Sequence, residues 1–131
     1  MAELTQVQCV LAVNDLGKSV AFYREKLGFK VDFEVEGWAW VSRGPFRLML
    51  GHCPDERPAR EISNHSLFAY VYVDGIDDLY GEFKGKGVDP IGGIADKPWG
   101  MREFVITTPE GHRILFGQER RQLRHDHVGA V

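Results

Sequence analysis

The chain is short of most features that would commit it to a special environment. It has two cysteines, Cys9 and Cys53, set in otherwise apolar segments with no CxxC spacing. That usage argues against a disulfide scaffold and reads as two buried free thiols in a reducing compartment. No apolar run approaches the ~20 residues of a membrane span, and the first residues show no basic-then-apolar leader, so the expected location is the cytoplasm. Basic charge is also scarce: 16 Lys and Arg stand against 19 Asp and Glu, for a net charge of −3. A polyanion partner needs concentrated Lys and Arg, and the only basic cluster is Arg120, Arg121 and Arg124. There is no glycine-rich phosphate loop and no Gly-x-Ser-x-Gly elbow, and Ser19 falls inside a helical pattern, so nucleophilic chemistry finds no support. Neither a nucleic acid nor a membrane is expected as a partner.

What is present is a repeat. Val13-Asn14-Asp15-Leu16, followed by a helical pattern through Phe22 and Tyr23 to Gly28, recurs as Val73-Asp74-Gly75-Ile76 with Leu79, Tyr80 and Phe83 to Gly87. Arg47-Leu48-Met49-Leu50-Gly51 recurs as Arg113-Ile114-Leu115-Phe116-Gly117. The two matches come in the same order at nearly the same offset, which predicts a duplicated unit of about sixty residues.

Each unit reads as βαβββ. Val7 to Val13 is a short apolar run, and Asn14 or Asp15 can cap the helix that follows. Leu16, Val20, Tyr23 and Leu27 form its apolar stripe, and Gly28 stops it. Strands are expected at Val31 to Val35, Trp38 to Val41 and Phe46 to Leu50. The second unit repeats this with Leu67 to Val73, a helix from Ile76 to about Lys86 capped at Asp74-Gly75, and strands at Val88 to Ile91, Glu103 to Thr107 and His112 to Gly117. The expected organisation is a first module at 1–53, a Pro- and charge-rich linker at 54–65, a second module at 66–119 and a tail at 120–131. A four-stranded sheet with one helix cannot bury both its faces, so the modules must pack on each other or on a partner.

These residues resemble the vicinal oxygen chelate superfamily, which includes glyoxalase I, extradiol dioxygenases and the bleomycin resistance proteins. The match is carried at the front by Val13-Asn14-Asp15-Leu16 with Ser19, Phe22-Tyr23 and Leu27-Gly28-Phe29, and at the back by Thr108-Pro109-Glu110-Gly111-His112-Arg113. The resemblance implies an α+β fold of two βαβββ modules, whose curved mixed sheets enclose a cleft commonly completed by dimerisation. In metal-dependent members, inward positions on the first and last strand of each module carry His, Glu or Gln. The corresponding positions here are Gln8, Met49, Phe68 and Leu115, of which only Gln8 offers a hard donor, whereas a chelating divalent site needs three or four. None of His52, His65, His112, His125 and His127 falls on a ligand position, so no metal and no other cofactor is expected.

Within the superfamily the nearest likeness is to the bleomycin resistance proteins, which bind a drug without altering it. It is carried by Gly37-Trp38-Ala39-Trp40 before Arg43-Gly44, by the aromatic run from Leu67 to Val73, and by Lys97-Pro98-Trp99-Gly100 leading into Arg102-Glu103-Phe104; Met101 departs from the tightest form of the last motif. Period two puts Phe68, Tyr70 and Tyr72 on one strand face, and Trp38 shares parity with Trp40, as Val31 does with Phe33 and Val35. The expected ligand-binding set is therefore Phe33, Trp38, Trp40, Phe68, Tyr70, Tyr72 and Trp99, with no catalytic residue. Asp32, Glu34 and Glu36 would give the groove mouth a negative field for a cationic guest. Core packing is the competing reading for Phe33, Trp40 and Phe68, whereas Trp38 and Trp99 adjoin Gly or Pro in loops, where a large ring needs a reason. The expected function is sequestration of an aromatic, partly cationic drug or metabolite. The alternatives are a metal-dependent glyoxalase- or dioxygenase-type enzyme of the same fold and a small-molecule sensor.

Overall fold

A computed structural model describes residues 2–120; His125, His127, Arg121 and Arg124 lie outside the described residues. The elements run β1 (Cys9–Val13), α1 (Leu16–Glu25), β2 (Lys30–Val35), β3 (Trp38–Arg43), β4 (Phe46–His52), a 3-10 segment (Ala59–Ser66), β5 (Leu67–Tyr72), α2 (Ile76–Gly85), β6 (Ile91–Asp96), β7 (Met101–Thr107) and β8 (Arg113–Glu119). They form two mixed four-stranded sheets of identical topology, β1-β4-β3-β2 and β5-β8-β7-β6, with the outer pairs β1/β4 and β5/β8 parallel. The duplication read from the sequence is thus a duplication of fold.

One helix covers one face of each sheet. In the first half Leu11, Val13, Ala39, Val41, Leu48 and Leu50 are buried with Val20, Tyr23 and Leu27 of α1; in the second, Phe104, Ile106, Ile114 and Phe116 are buried with Ile76 and Phe83 of α2. Phe104 and Phe116 stack with ring centroids 5.3 Å apart. Cys9 and Cys53 are free and half-buried, and Cys9 packs on the helix side.

The halves are fastened to each other on this helix side. Arg43, at the end of β3, donates to the Leu27 carbonyl at 2.8 Å and through both terminal nitrogens to the Glu82 carboxylate of α2, at 2.7 and 3.1 Å. Arg43 holds the Glu82 carboxyl below its usual range, chiefly through that hydrogen bond. Gly28 is required by its φ of 77°, which L side chains rarely adopt. Glu110, buried in the β7–β8 turn, accepts from the backbone N–H groups of Asn14 and Asp15 at 2.7 and 3.0 Å. A carboxylate of the second module thereby sits at the N-terminus of the first module's helix, where anions are favoured.

Several expectations need correction. Asp15 caps α1 as expected, accepting from Lys18 N–H. The N-cap of α2 is Gly75, with no side-chain cap; Gln118 Oε1 of β8 instead accepts from Gly75 and Ile76 N–H at 2.9 and 2.8 Å. The strand expected at Val88 to Ile91 is displaced to Ile91–Asp96, because Gly92 and Gly93 take positive φ inside a bulged strand and Val88 is drawn into the core. The stretch expected as a bare linker contains the 3-10 segment, whose Arg60 N–H donates to the Glu110 carbonyl. A register shift between Val31 and Phe33 reverses parity, so Val31 packs toward the helix while Phe33 does not. A second shift, between Leu67 and Ala69, acts on Phe68: its ring packs on the core side, 6.5 Å from Phe46 and 5.8 Å from His112.

Candidate functional site

The faces turned away from the helices carry the large exposed rings. On the first sheet, register places Trp38 beside Gly51 and Trp40 beside Met49, with Ala12 and Val10 completing the rows on β1. Gly51 leaves room for the Trp38 ring, which a Cβ at that position would meet at 3.0 Å. Trp38 and Trp40 lie 6.3 Å apart and Trp40 and Phe33 5.3 Å apart, so the three rings form one strip across β2 and β3. Phe33 is 57% exposed and Trp38 39%. A recess of about 200 Å³ beside them is lined by Gln8, Asp32, Phe33, Trp40 and Arg47, and Gln8 Oε1 is buried there without a partner. Asp32 is held below its usual carboxyl range chiefly by a hydrogen bond from Ser42, with Lys30 and Arg47 adding to it. Its charge is therefore compensated locally, and it does not present a free negative field.

On the second sheet the same row is built differently. Gly117 of β8 stands beside Glu103 of β7, which in turn faces Ala95 of β6. With no side chain on Gly117, Tyr70 reaches across β8 from the edge strand β5, and its hydroxyl donates to Glu103 Oε2 at 2.7 Å. From the opposite side Trp99, in the turn between β6 and β7, donates its indole N–H to the same oxygen at 2.9 Å. Glu103 is 5% exposed, whereas Trp99 and Tyr72 are 62% and 78% exposed. The Tyr70 and Tyr72 rings are 5.0 Å apart. Burial, then the hydrogen bond to Glu103 and its charge, push the Tyr70 hydroxyl well above its ordinary pKa, so it stays protonated as a donor. Glu103 had no place among the residues expected at the site; the only sequence signal was its position in the Trp99 motif.

The structure brings Phe33, Trp38 and Trp40 together on one open face and Tyr70, Tyr72 and Trp99 on another. It places Phe68 apart from both. A larger cleft, about 530 Å³, lies between the halves and is lined by Leu27, Phe29, Phe46, Phe83 and the Arg43–Glu82 pair, with Tyr72 also bordering it. It faces the packed helix side and contains none of the other expected binding rings.

The positions that would hold a divalent cation do not fit one. Met49 and Leu115 offer no hard donor and Phe68 offers no donor at all, which leaves Gln8 alone. Among the described residues no group of three or more His, Cys, Asp or Glu side chains is disposed to hold a metal. His52 and His65 are exposed, and His112 is taken up by its edge contact with Phe68. Among the described residues, too, no helix is long and apolar enough to cross a membrane.

Comparison with known proteins agrees with this architecture. Bleomycin resistance proteins of Geobacillus stearothermophilus and Staphylococcus aureus are 31% identical over 123 aligned residues, covering 83% of this chain and 92% of theirs. A bleomycin-binding protein from bleomycin-producing Streptomyces verticillus, solved with copper(II)-bleomycin, superposes with a TM-score of 0.70 at 24% identity, over 88% of this chain and 97% of that one. A glyoxalase/bleomycin resistance protein/dioxygenase from Alicyclobacillus acidocaldarius superposes with a TM-score of 0.77 at 17% identity, over 91% and 94%. The sequence profile of one family matches residues 5–116, nearly the whole of the duplicated fold, and the chain belongs to that family, the Glyoxalase/Bleomycin resistance protein/Dioxygenase superfamily.

Proposed function

We propose that the protein binds, and holds chemically unchanged, a flat aromatic small molecule carrying positive charge, a bleomycin-type drug being the leading candidate. The observation that carries this reading is the set of large rings on the helix-free faces: exposed Phe33 and Trp38 with half-buried Trp40 between them on one, exposed Tyr70, Tyr72 and Trp99 on the other. Contiguous exposed apolar surface of this kind marks a binding groove or an interface. A planar guest sandwiched between two such platforms gains roughly 0.5–1.5 kcal/mol per stacked ring beyond simple burial. Phe68, half-buried and packed against the core, is left out of the proposed set. A second copy of the chain supplies the opposing face that closes each groove. The 31% identity to bleomycin resistance proteins supports the same reading.

The test is a titration of the purified protein with bleomycin, followed by tryptophan fluorescence. Saturable quenching that Trp38→Ala weakens without unfolding the protein is the expected result. No saturable change in fluorescence or heat at any accessible drug concentration would overturn the assignment to this drug class.

A further inference from the structure

We propose that Glu103 is the positioning residue of the second open face: its buried carboxylate fixes the Tyr70 and Trp99 rings in the orientation a flat ligand meets, and its charge makes that pair prefer planar cations to planar neutral molecules. The inference rests on the binding reading above and adds the residue that sets both geometry and charge. One oxygen, Oε2, takes donors from two different elements, Tyr70 of β5 at 2.7 Å and Trp99 of the β6–β7 turn at 2.9 Å. Both rings are well exposed to water, while the acceptor that ties them is buried beneath them. The small neighbours Gly117 and Ala95 open the way to it from both sides.

The first sheet shows what this slot otherwise holds. Trp38 stands beside Gly51 as Glu103 stands beside Gly117, so the duplicated position carries a ring in one module and a carboxylate in the other. An indole or phenol that donates to a carboxylate gains electron density on its ring, which strengthens the attraction of its face for a cation. Arg102 is engaged by Asp77 and Asp96, and the Lys97 ammonium lies 6.0 Å from the centre of the Trp99 ring, where a cation is already accepted.

The experiment compares Glu103→Gln, which keeps an acceptor oxygen and removes the charge, with Glu103→Ala, which removes both. The first readout needs no ligand: the indole N–H resonance of Trp99 in the folded dimer or monomer, assigned by its disappearance in Trp99→Phe. It should stay hydrogen-bonded in the Gln variant and move to the position of a free indole in the Ala variant. The second readout is affinity for acridine and for N-methylacridinium at neutral pH. The parent should prefer the cation by about tenfold, the Gln variant should bind acridine like the parent but lose the preference, and the Ala variant should bind both about tenfold more weakly. An unmoved Trp99 resonance in Glu103→Ala would overturn the lock, and so would a Gln variant that loses acridine as fully as the Ala variant. Equal parent affinity for the two probes would overturn the charge preference. A parent that binds neither probe would remove the binding reading and the cation preference with it, while the indole resonance still decides the lock. If the Ala variant does not fold, the Gln variant still decides both halves, because loss of the Trp99 hydrogen bond or survival of the cation preference in it would each overturn one.

Discussion

Gly117 and Gly51 hold the same place in the two halves, and each lets a ring lie where a side chain would stand. A Cβ at Gly117 would collide with the Tyr70 hydroxyl, so Gly117→Ala should displace Tyr70 from Glu103 and cost roughly 1–3 kcal/mol, the usual range for overpacking, in a denaturant titration. Trp99 behaves oppositely. Its ring is 62% exposed, with its indole N–H hydrogen-bonded to Glu103, so Trp99→Ala should leave the melting temperature nearly unchanged. Affinity for bleomycin should fall by about thirtyfold, the loss expected at a stacking hot spot of ~2 kcal/mol; a large drop in melting temperature with unchanged affinity would instead make Trp99 a structural residue. At this scale the sequence showed the rings but not what holds them. Trp99 was legible as an exposed ring because a large ring beside Pro and Gly in a turn has few structural uses, whereas Trp38, read the same way, opens β3 instead of lying in a loop. Glu103 was not, because a carboxylate in a strand ordinarily faces water, and its burial depends on Gly117 and Ala95 becoming neighbours only after β6, β7 and β8 pair. Strict alternation was a poor guide at Phe68 for a related reason: it assumes an unbroken strand, whereas the register shift beside Phe68 lays its half-buried ring against the core.

At the level of elements, the duplication, both helices and most of the strands were legible, because the apolar stripe of α1 and the alternation of the strands are local signals. The bulges were not. The strand expected at Val88 to Ile91 stops where β6 begins, because positive φ at Gly92 and Gly93 carries a bulged strand on to Asp96. The tie between the halves was also invisible, since Glu110 and Asn14 are 96 residues apart. The β7–β8 turn that carries Glu110 has a pH-dependent neighbour. His112, half-buried with its ring edge to Phe68, has its pKa lowered by burial, with the Glu110 charge opposing that shift. The folded state therefore keeps His112 neutral over a range where the unfolded chain protonates it. Below the ordinary histidine value of about 6.5 the unfolded state binds more protons, so stability is lost as pH falls through that value toward the lower folded one. Melting temperature should accordingly drop between about pH 7.5 and pH 5.5, and His112→Gln should flatten that drop while leaving the carboxylate-driven loss at lower pH intact. An unchanged slope in the variant would show that His112 titrates freely.

For the whole molecule, two questions follow from faces that no helix covers. The first concerns metal. With Gln8 the one hard donor among the four positions where the superfamily places its ligands, protein purified without chelator should carry well under one equivalent of Zn, Ni, Mn or Fe, since a divalent site needs three or four donors. Stoichiometric metal by elemental analysis would restore the enzyme reading. The second concerns assembly. Within one chain the halves are joined on the helix side by Arg43–Glu82 and by Glu110 at the α1 N-terminus, an arrangement that commits the buried surface there and leaves both sets of rings open. No aromatic pair among the described residues links the Phe33–Trp40–Trp38 strip to Tyr70, Tyr72 or Trp99. In the proposed reading a second copy brings the two platforms together around a flat guest, its second-module face meeting the first-module face of its partner. A stable association of this kind buries at least about 1,200 Å² in total and should persist at micromolar concentration. Sedimentation equilibrium should then report about twice the 14.8 kDa of the chain. Arg43→Ala, which loosens the halves within one chain, should weaken the dimer as well, because the two open faces of each chain would no longer be held at the angle the partner requires. A single 14.8 kDa species at those concentrations would overturn the shared groove. Any bound drug would then have to rest on one face alone, where affinity falls by the contribution of every ring on the other.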